Sequence, residues 1–356
     1  EQRGGSADVP GARTKTGTAN GRCALLIWVV VLASCLLVVL GHGPREGMTM
    51  AQGAVPKSAA PRGSDRGSFD ISFSRDFQGN AVGPYRYDEW EKDWDHPSWS
   101  CPDRSHWATG AKMEIVQEGD NRFLRHRFDP GDFSTTGELG MQWETALPAR
   151  DEVYLSFRAR CSDVFALEHL DGKLPGLKGK PAAGRASTGP GERPGPDGGF
   201  SSRQMFKGGD GDRVELMPYI YHQEMEANSK TEDGKPLYYG NSFGPRPALV
   251  PNTWYTITQR LVMNGPGVSN GIAEFYVDGK LVSSRQGFRF RDTERVMIDA
   301  ISMSNFLGGS GDRATVQGYW DFDDIVVFAY RPGVSVPRGP VLSPAGRTLT
   351  VPASPK

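Results

Sequence analysis

A chain of 356 residues with a formal charge of −1 has room for one to three domains and carries no basic stripe of the kind nucleic-acid binding needs. Its 45 Gly and 26 Pro approach the level of a low-complexity chain, but they gather in four places. The segments between are rich in aromatic and β-branched residues, so the expectation is one sizeable all-β domain with disordered attachments.

Residues 1–22 are polar and read as a disordered tail. Arg13, Lys15 and Arg22 then precede an uncharged apolar run, Cys23 to Leu40, just long enough to cross a bilayer as a helix. Basic residues ahead of the run favour a cytoplasmic N-terminus and an exported remainder, at the cell surface or outside the cell. Three forms fit: a retained anchor, a cleaved signal peptide, or a lipoprotein, because Leu32-Ala33-Ser34-Cys35 resembles a lipobox. A buried core helix fits poorly, since the run is apolar on every face. Residues 41–68 are rich in Gly, Pro, Ala and Ser and read as a flexible tether.

From Phe69 to Tyr330 the dominant period is two. In Glu152–Cys161, Val153, Leu155, Phe157, Ala159 and Cys161 share one face, as in a half-buried antiparallel strand. Trp254–Met263 and Trp320–Tyr330 alternate in the same way. Ile272–Val277 and Leu281–Ser284 flank Asp278-Gly279-Lys280, a hairpin signal. No long segment has a helical period, which points to a sandwich or jelly roll. From Asp171 to Gly199 the chain reads as a long loop with Lys173, Lys178, Lys180, Arg185 and Arg193 against three acids, a charge suited to a polyanion. For 181–197 the plainer expectation is a solvated insert. The Pro-rich tail, 331–356, has no periodicity and reads as disordered.

Of the four cysteines, Cys101 and Cys161 lie in the exported part. Export permits a disulfide between them; two buried free thiols are the alternative. No zinc spacing, HExxH or EF-hand pattern occurs, and no metal or cofactor is expected. Asp321, Asp323 and Asp324 suggest calcium, but closing strands often carry solvent-facing acids.

Strand alternation puts Ser201 and Arg203 on one face of Phe200–Phe206, and Tyr219 and Tyr221, with Glu215 and Met217, on one face of Val214–His222. His222 then points the other way. If the two strands are neighbours, a serine, an arginine and two tyrosines converge, with Lys173 able to reach over the rim. Such a patch suits β-elimination from a uronic acid. Cations at the C5 carboxylate stabilise the enolate-like anion left by loss of the C5 proton. Phenols with pKa lowered by Lys173 and Arg203 could exchange protons at C5 and at the leaving oxygen. By spacing alone, a Tyr-x-Tyr pair is more often an ordinary strand pair.

The ordered combination of Lys173-Leu174-Pro175-Gly176-Leu177, Ser201-Ser202-Arg203, Tyr219-Ile220-Tyr221-His222 and Trp254-Tyr255-Thr256-Ile257-Thr258-Gln259-Arg260 resembles family 14 of the polysaccharide lyases. The resemblance continues through Asn264-Gly265-Pro266-Gly267, Phe275-Tyr276-Val277-Asp278-Gly279, Ser304-Asn305-Phe306-Leu307-Gly308-Gly309 and the strand Trp320–Phe328, so it spans roughly 70–330. It implies a β-jelly roll of concanavalin A-like sandwich form over 69–330, with a cleft on one sheet. It implies metal-independent cleavage of alginate or glucuronan, with Lys173, Ser201, Arg203, Tyr219 and Tyr221 as the catalytic set and Lys178 and Arg260 as substrate-binding cations. The loop after Lys178 and the stretch from Arg203 to Tyr219 are longer than the family pattern, and Phe306-Leu307 stands where two aromatics are common. Two other functions compete: a cell-surface carbohydrate-binding module on the same sandwich, and a concanavalin-like glycoside hydrolase. The hydrolase would need a second carboxylate to partner Glu215.

Overall fold

The computed structural model describes residues 69–97, 100–101, 112–133, 140–182, 191–209, 212–308, 313–330, 339–342 and 348–351. The tail 1–22, the apolar run 23–40 and the tether 41–68 lie outside the described residues. Among the described residues no helix is long and apolar enough to cross a membrane.

Among the described residues twenty strands run in chain order. The first ten are β1 (Phe69–Arg75), β2 (Gly83–Pro84), β3 (Ser100–Cys101), β4 (Met113–Glu118), β5 (Asn121–Phe128), β6 (Met141–Arg150), β7 (Glu152–Cys161), β8 (Asp171–Gly179), β9 (Phe200–Gly208) and β10 (Val214–Tyr221). Then come β11 (Ser229–Lys230), β12 (Pro236–Leu237), β13 (Ala248–Leu249), β14 (Tyr255–Val262), β15 (Gly271–Val277), β16 (Lys280–Phe288), β17 (Ile298–Leu307), β18 (Gly318–Tyr330), β19 (Gly339–Leu342) and β20 (Thr348–Val351). One sheet has the order β16-β15-β14-β7-β18-β5-β4-β2, with β1 alongside the second half of β18; the other has the order β13-β10-β9-β8-β17-β6-β3. The described pairings within both sheets are antiparallel. This is the all-β sandwich that the period-two pattern requires. Within the Pro-rich tail β19 and β20 form a separate hairpin, where no periodicity was legible.

Among the described residues helix is scarce: α1 (Tyr87–Asp93) and a single turn, Val164–Leu167. At the start of α1 the Glu89 carboxylate accepts the Arg86 backbone N–H at 3.1 Å, satisfying one of the amides the helix leaves unpaired. At its end the buried Asp93 carboxylate accepts from Asn80 and Tyr85 and pairs with Arg75. Trp90 and Trp94 thereby pack on Trp143 of β6, closing one end of the core.

Alternation decides what lies between the sheets. Leu155 and Phe157 of β7, Ile257 and Leu261 of β14, and Phe322 of β18 face Leu177, Phe206, Ile220, Ile301 and Met303 of the other sheet. Each fully buried large side chain contributes about 1.5–3 kcal/mol. The inward face also holds Gln259, which donates to the Ser202 carbonyl at 3.0 Å and to its hydroxyl at 2.5 Å. The Gln of the Trp254–Arg260 string thus ties β14 to the underside of β9.

Two irregularities reset the alternation. In β18, Asp324 has φ +48° and the register shifts between Asp323 and Val326. Trp320 and Phe322 point inward before this bulge, Ile325 and Val327 after it. Asp321 and Asp323 therefore face outward, yet they are fully buried under Arg125, Arg160 and Arg158 rather than solvent-facing. In β8 the register shifts between Leu174 and Gly176. A Cβ at Gly176 would stand 2.0 Å from the Ser202 carbonyl oxygen, so only glycine lets β9 come this close. Segment 171–179, expected as loop, is thus a strand. Cys161 is a buried free thiol whose pKa burial pushes up to about 12. The side chain of Cys101 lies outside the described residues.

Candidate active site

The outward face of the β8-β9-β10 sheet collects the charged and phenolic groups. The pairing of β9 with β10 sets Tyr219 opposite Arg203 and Tyr221 opposite Ser201. Phe200, Ser202 and Phe206 fill the inward positions of β9, so Ser201, Arg203 and Met205 face out. On β8, Lys173 pairs with Met205 and Lys178 with Ser201. These two lysines are five residues apart and would face opposite ways in a regular strand. The irregularity at Pro175 puts both on the outward face.

The five residues of the expected catalytic set come together there. Lys173 Nζ stands 4.0 Å from the centre of the Tyr219 ring and 3.3 Å from the Met205 Sδ. The Arg203 Cζ lies 5.6 Å from the same ring. The two tyrosine hydroxyls are 3.3 Å apart. Among the described residues neither Lys173 nor Arg203 forms an ion pair, and the buried Ser201 Oγ and Arg203 Nε have no hydrogen-bond partner.

The electrostatics differ from the sequence expectation. Burial, then the nearby Arg203 charge, lowers the Lys173 pKa to about 7. Burial also lowers that of Arg203. The Tyr221 phenol is pushed well up, by burial first and by Tyr219 second, so the two cations do not make it acidic in the free protein. Its proton is held, which suits a donor rather than an acceptor.

The patch is roofed rather than open. Met225, Tyr238 and Tyr239 pack on the tyrosine pair, leaving Tyr221 1% and Lys173 7% exposed. A Cβ at Gly240 would meet the Tyr219 ring at 2.6 Å. Backbone bonds between Ile220 and Asn241 hold this segment down. Met205 shares the face of Arg203 by simple alternation and was legible for that reason. Tyr238 and Tyr239 carried no such signal, because they come from a segment of irregular chain and minimal strands.

Two other candidates part company. Lys178 is on the same face, paired with Glu144 of β6. Arg260 is not: it points from β14 to the outer face of the opposite sheet, bound to Glu152 at 2.8 Å and Glu274 at 3.0 Å. Its neighbours Ile257, Gln259 and Leu261 take the inward positions by alternation, which forces Arg260 away from the Lys173–Tyr221 patch. His222 points inward, as alternation requires, against Phe288; burial lowers its pKa to about 4. Among the described residues no group of three or more His, Cys, Asp or Glu could hold a metal ion.

The fold is an antiparallel sandwich with cations and phenols gathered on one outer face. The family model of Polysaccharide lyase 14 matches residues 117–321. This chain belongs to that family and is a polysaccharide lyase. Solved structures share the fold. A complex of an alginate lyase Aly36B variant with alginate tetrasaccharide aligns with a TM-score of 0.56 at 21% identity, over 72% of this chain and 96% of that one. The marine PL-14 alginate lyase from Aplysia kurodai aligns with a TM-score of 0.57 at 20% identity, over 74% of this chain and 100% of that one. No curated protein matches the chain.

Proposed function

We propose that this lyase cleaves a polyuronate, alginate or glucuronan, by metal-independent β-elimination at the Lys173, Ser201, Arg203, Tyr219 and Tyr221 patch. The observation that carries it is the pairing of two cations, Lys173 and Arg203, that form no ion pair among the described residues, with two phenol hydroxyls 3.3 Å apart on one face. Lys173 and Arg203 hold the C5 carboxylate, and Ser201 donates to it. Neutralising that carboxylate makes the C5–H bond more acidic and stabilises the anion that follows. Tyr219, whose ring lies against both cations, reacts as the phenolate and takes the C5 proton, and later passes it to Tyr221 across the 3.3 Å between their oxygens. Tyr221, held protonated by burial, delivers its proton to the O4 leaving group as the C4–O bond breaks. The products are a fragment with a new reducing end, whose anomeric oxygen carries the delivered proton, and a fragment whose non-reducing terminal sugar has a C4=C5 double bond. The positive charge the reaction needs comes from side chains, which is the reason for proposing independence of metal.

The competing hydrolase needs two carboxylates roughly 5–9.5 Å apart. Glu215 on β10 and Glu144 on β6 are four strands apart, about 19 Å at normal sheet spacing. Each is also paired, with Arg246 and Lys178. We place the enzyme outside the cytoplasm on the strength of the basic residues before the 23–40 run. Alkaline extraction of membranes tests whether that run is retained as an anchor. A panel of polyuronates, followed by the ultraviolet absorbance of the unsaturated product, tests the chemistry. New reducing ends without that absorbance would show a hydrolase, and binding without cleavage a carbohydrate-binding module.

A further inference from the structure

The basic segment after Lys178 was expected to be a solvated insert. Its last part, 191–199, is instead fastened at both ends. Gly191 and Tyr238 exchange backbone hydrogen bonds of 2.9 and 3.3 Å, joining this loop to the roof over the tyrosine pair. At the other end the Asp197 carboxylate accepts the backbone N–H groups of Asp292 and Thr293 at 2.8 and 2.9 Å. Between these anchors Arg193 is exposed, with its Cζ 5.4 Å from the centre of the Tyr238 ring. Tyr238 in turn packs on the Tyr219, Tyr221 and Met225 cluster. Among the described residues Arg193 forms no ion pair, not even with its neighbour Glu192. A guanidinium laid on an aromatic face keeps its planar fork of donors oriented and ready for a carboxylate.

We propose that Arg193, carried on Tyr238, is a positioning residue that binds the carboxylate of a sugar next to the one being cleaved, and so makes the enzyme favour uninterrupted runs of uronate. The proposal rests on the polyuronate lyase reading. A polyuronate has one carboxylate on every residue, so occupying the Lys173–Arg203 pair with one places another further along the same sheet face. Arg193 stands one ring away from the Tyr219–Tyr221 pair. Its effect falls on binding and substrate choice rather than on the proton transfers.

The test compares the full chain with Arg193→Gln and Arg193→Lys on a polyuronate and on the same polymer with part of its carboxylates reduced to alcohols. Elimination is followed by ultraviolet absorbance and binding by retardation in gels that contain the polymer. Arg193→Gln should raise KM on the intact polyuronate about threefold to tenfold with kcat nearly unchanged, as loss of one exposed charge-assisted contact predicts. The preference for intact over reduced polymer should shrink by the same factor, and Arg193→Lys should recover part of it. A KM, gel retention and polymer preference equal to the parent's in Arg193→Gln would overturn the inference. A parent that is retained by polyuronate without releasing unsaturated product would refute the lyase reading instead. Arg193 would then be judged on gel retention alone, supported if Arg193→Gln loses it and overturned if it does not.

Discussion

Replacing Lys173 by Met should stabilise the protein while disabling it, and the stabilisation should fade at high pH. The Lys173 ammonium is 7% exposed and its pKa falls from 10.5 to about 7. In the pH range between those values the unfolded chain binds the proton and the folded one does not, so stability rises with pH across it. Below pH 7 both states carry the charge and the folded state bears its full burial cost. A shift of about 3.5 units corresponds to at most about 5 kcal/mol. Methionine keeps the apolar stem but loses the contact with the Tyr219 ring, worth about 1 kcal/mol. Allowing for imperfect packing, the net gain at pH 6 should be about 3 kcal/mol. For a domain of this size that is a rise of about 6–9 °C in Tm. Thermal unfolding of both proteins at pH 6, 8 and 10 reads it directly: the difference should be largest at pH 6 and near zero at pH 10. A difference independent of pH, or a destabilised variant at pH 6, would refute the assignment of Lys173 as a strained buried cation.

Other consequences follow from the same site. On the proposed role of Lys173 as the ammonium that holds the substrate carboxylate, KM for a polyuronate should climb above pH 7, by up to about tenfold per unit, while remaining flat below it; steady-state kinetics from pH 5 to 9 check this. Tyr221→Phe removes one hydroxyl that bonds Tyr219 and the Gly240 backbone, so unfolding should shift by about 1–2 kcal/mol, whereas kcat should drop about a hundredfold to ten-thousandfold. Arg260→Gln should leave kcat/KM of the folded protein unchanged. It should cost about 2–3 kcal/mol in denaturant unfolding, because Glu274, 4% exposed, loses its cation.

The sandwich was legible because half-buried strands write their two faces into the chain at period two. Glu152–Cys161 matches β7 residue for residue, and the hairpin at Asp278-Gly279 joins β15 to β16. The same rule placed Ser201, Arg203, Tyr219 and Tyr221 on one face and turned His222 inward. It failed where the backbone departs from regularity. The bulge at Pro175 hid that Lys173 and Lys178 share a face, and a Gly-rich, Pro-containing strand read as a loop. The acids of β18 looked solvent-facing because the arginines that cover them come from β5 and β7, far away in sequence. Arg260 was misplaced for a related reason: membership of a conspicuous string says nothing about which face a side chain takes, whereas alternation around Ile257, Gln259 and Leu261 does. The roof over the tyrosines was invisible, since an irregular segment carries no period from which its docking can be read.

The central claim is elimination rather than hydrolysis at the Tyr219–Tyr221 patch. Its most direct measurement is the ultraviolet absorbance of the reaction with alginate and with glucuronan, for the parent and for the Tyr219→Phe, Tyr221→Phe double variant. The account predicts an unsaturated product from the parent on at least one of the two polymers and almost none from the double variant, whose fold is intact by circular dichroism. Near-parental release of unsaturated product by the double variant, or cleavage by the parent without it, would contradict the account.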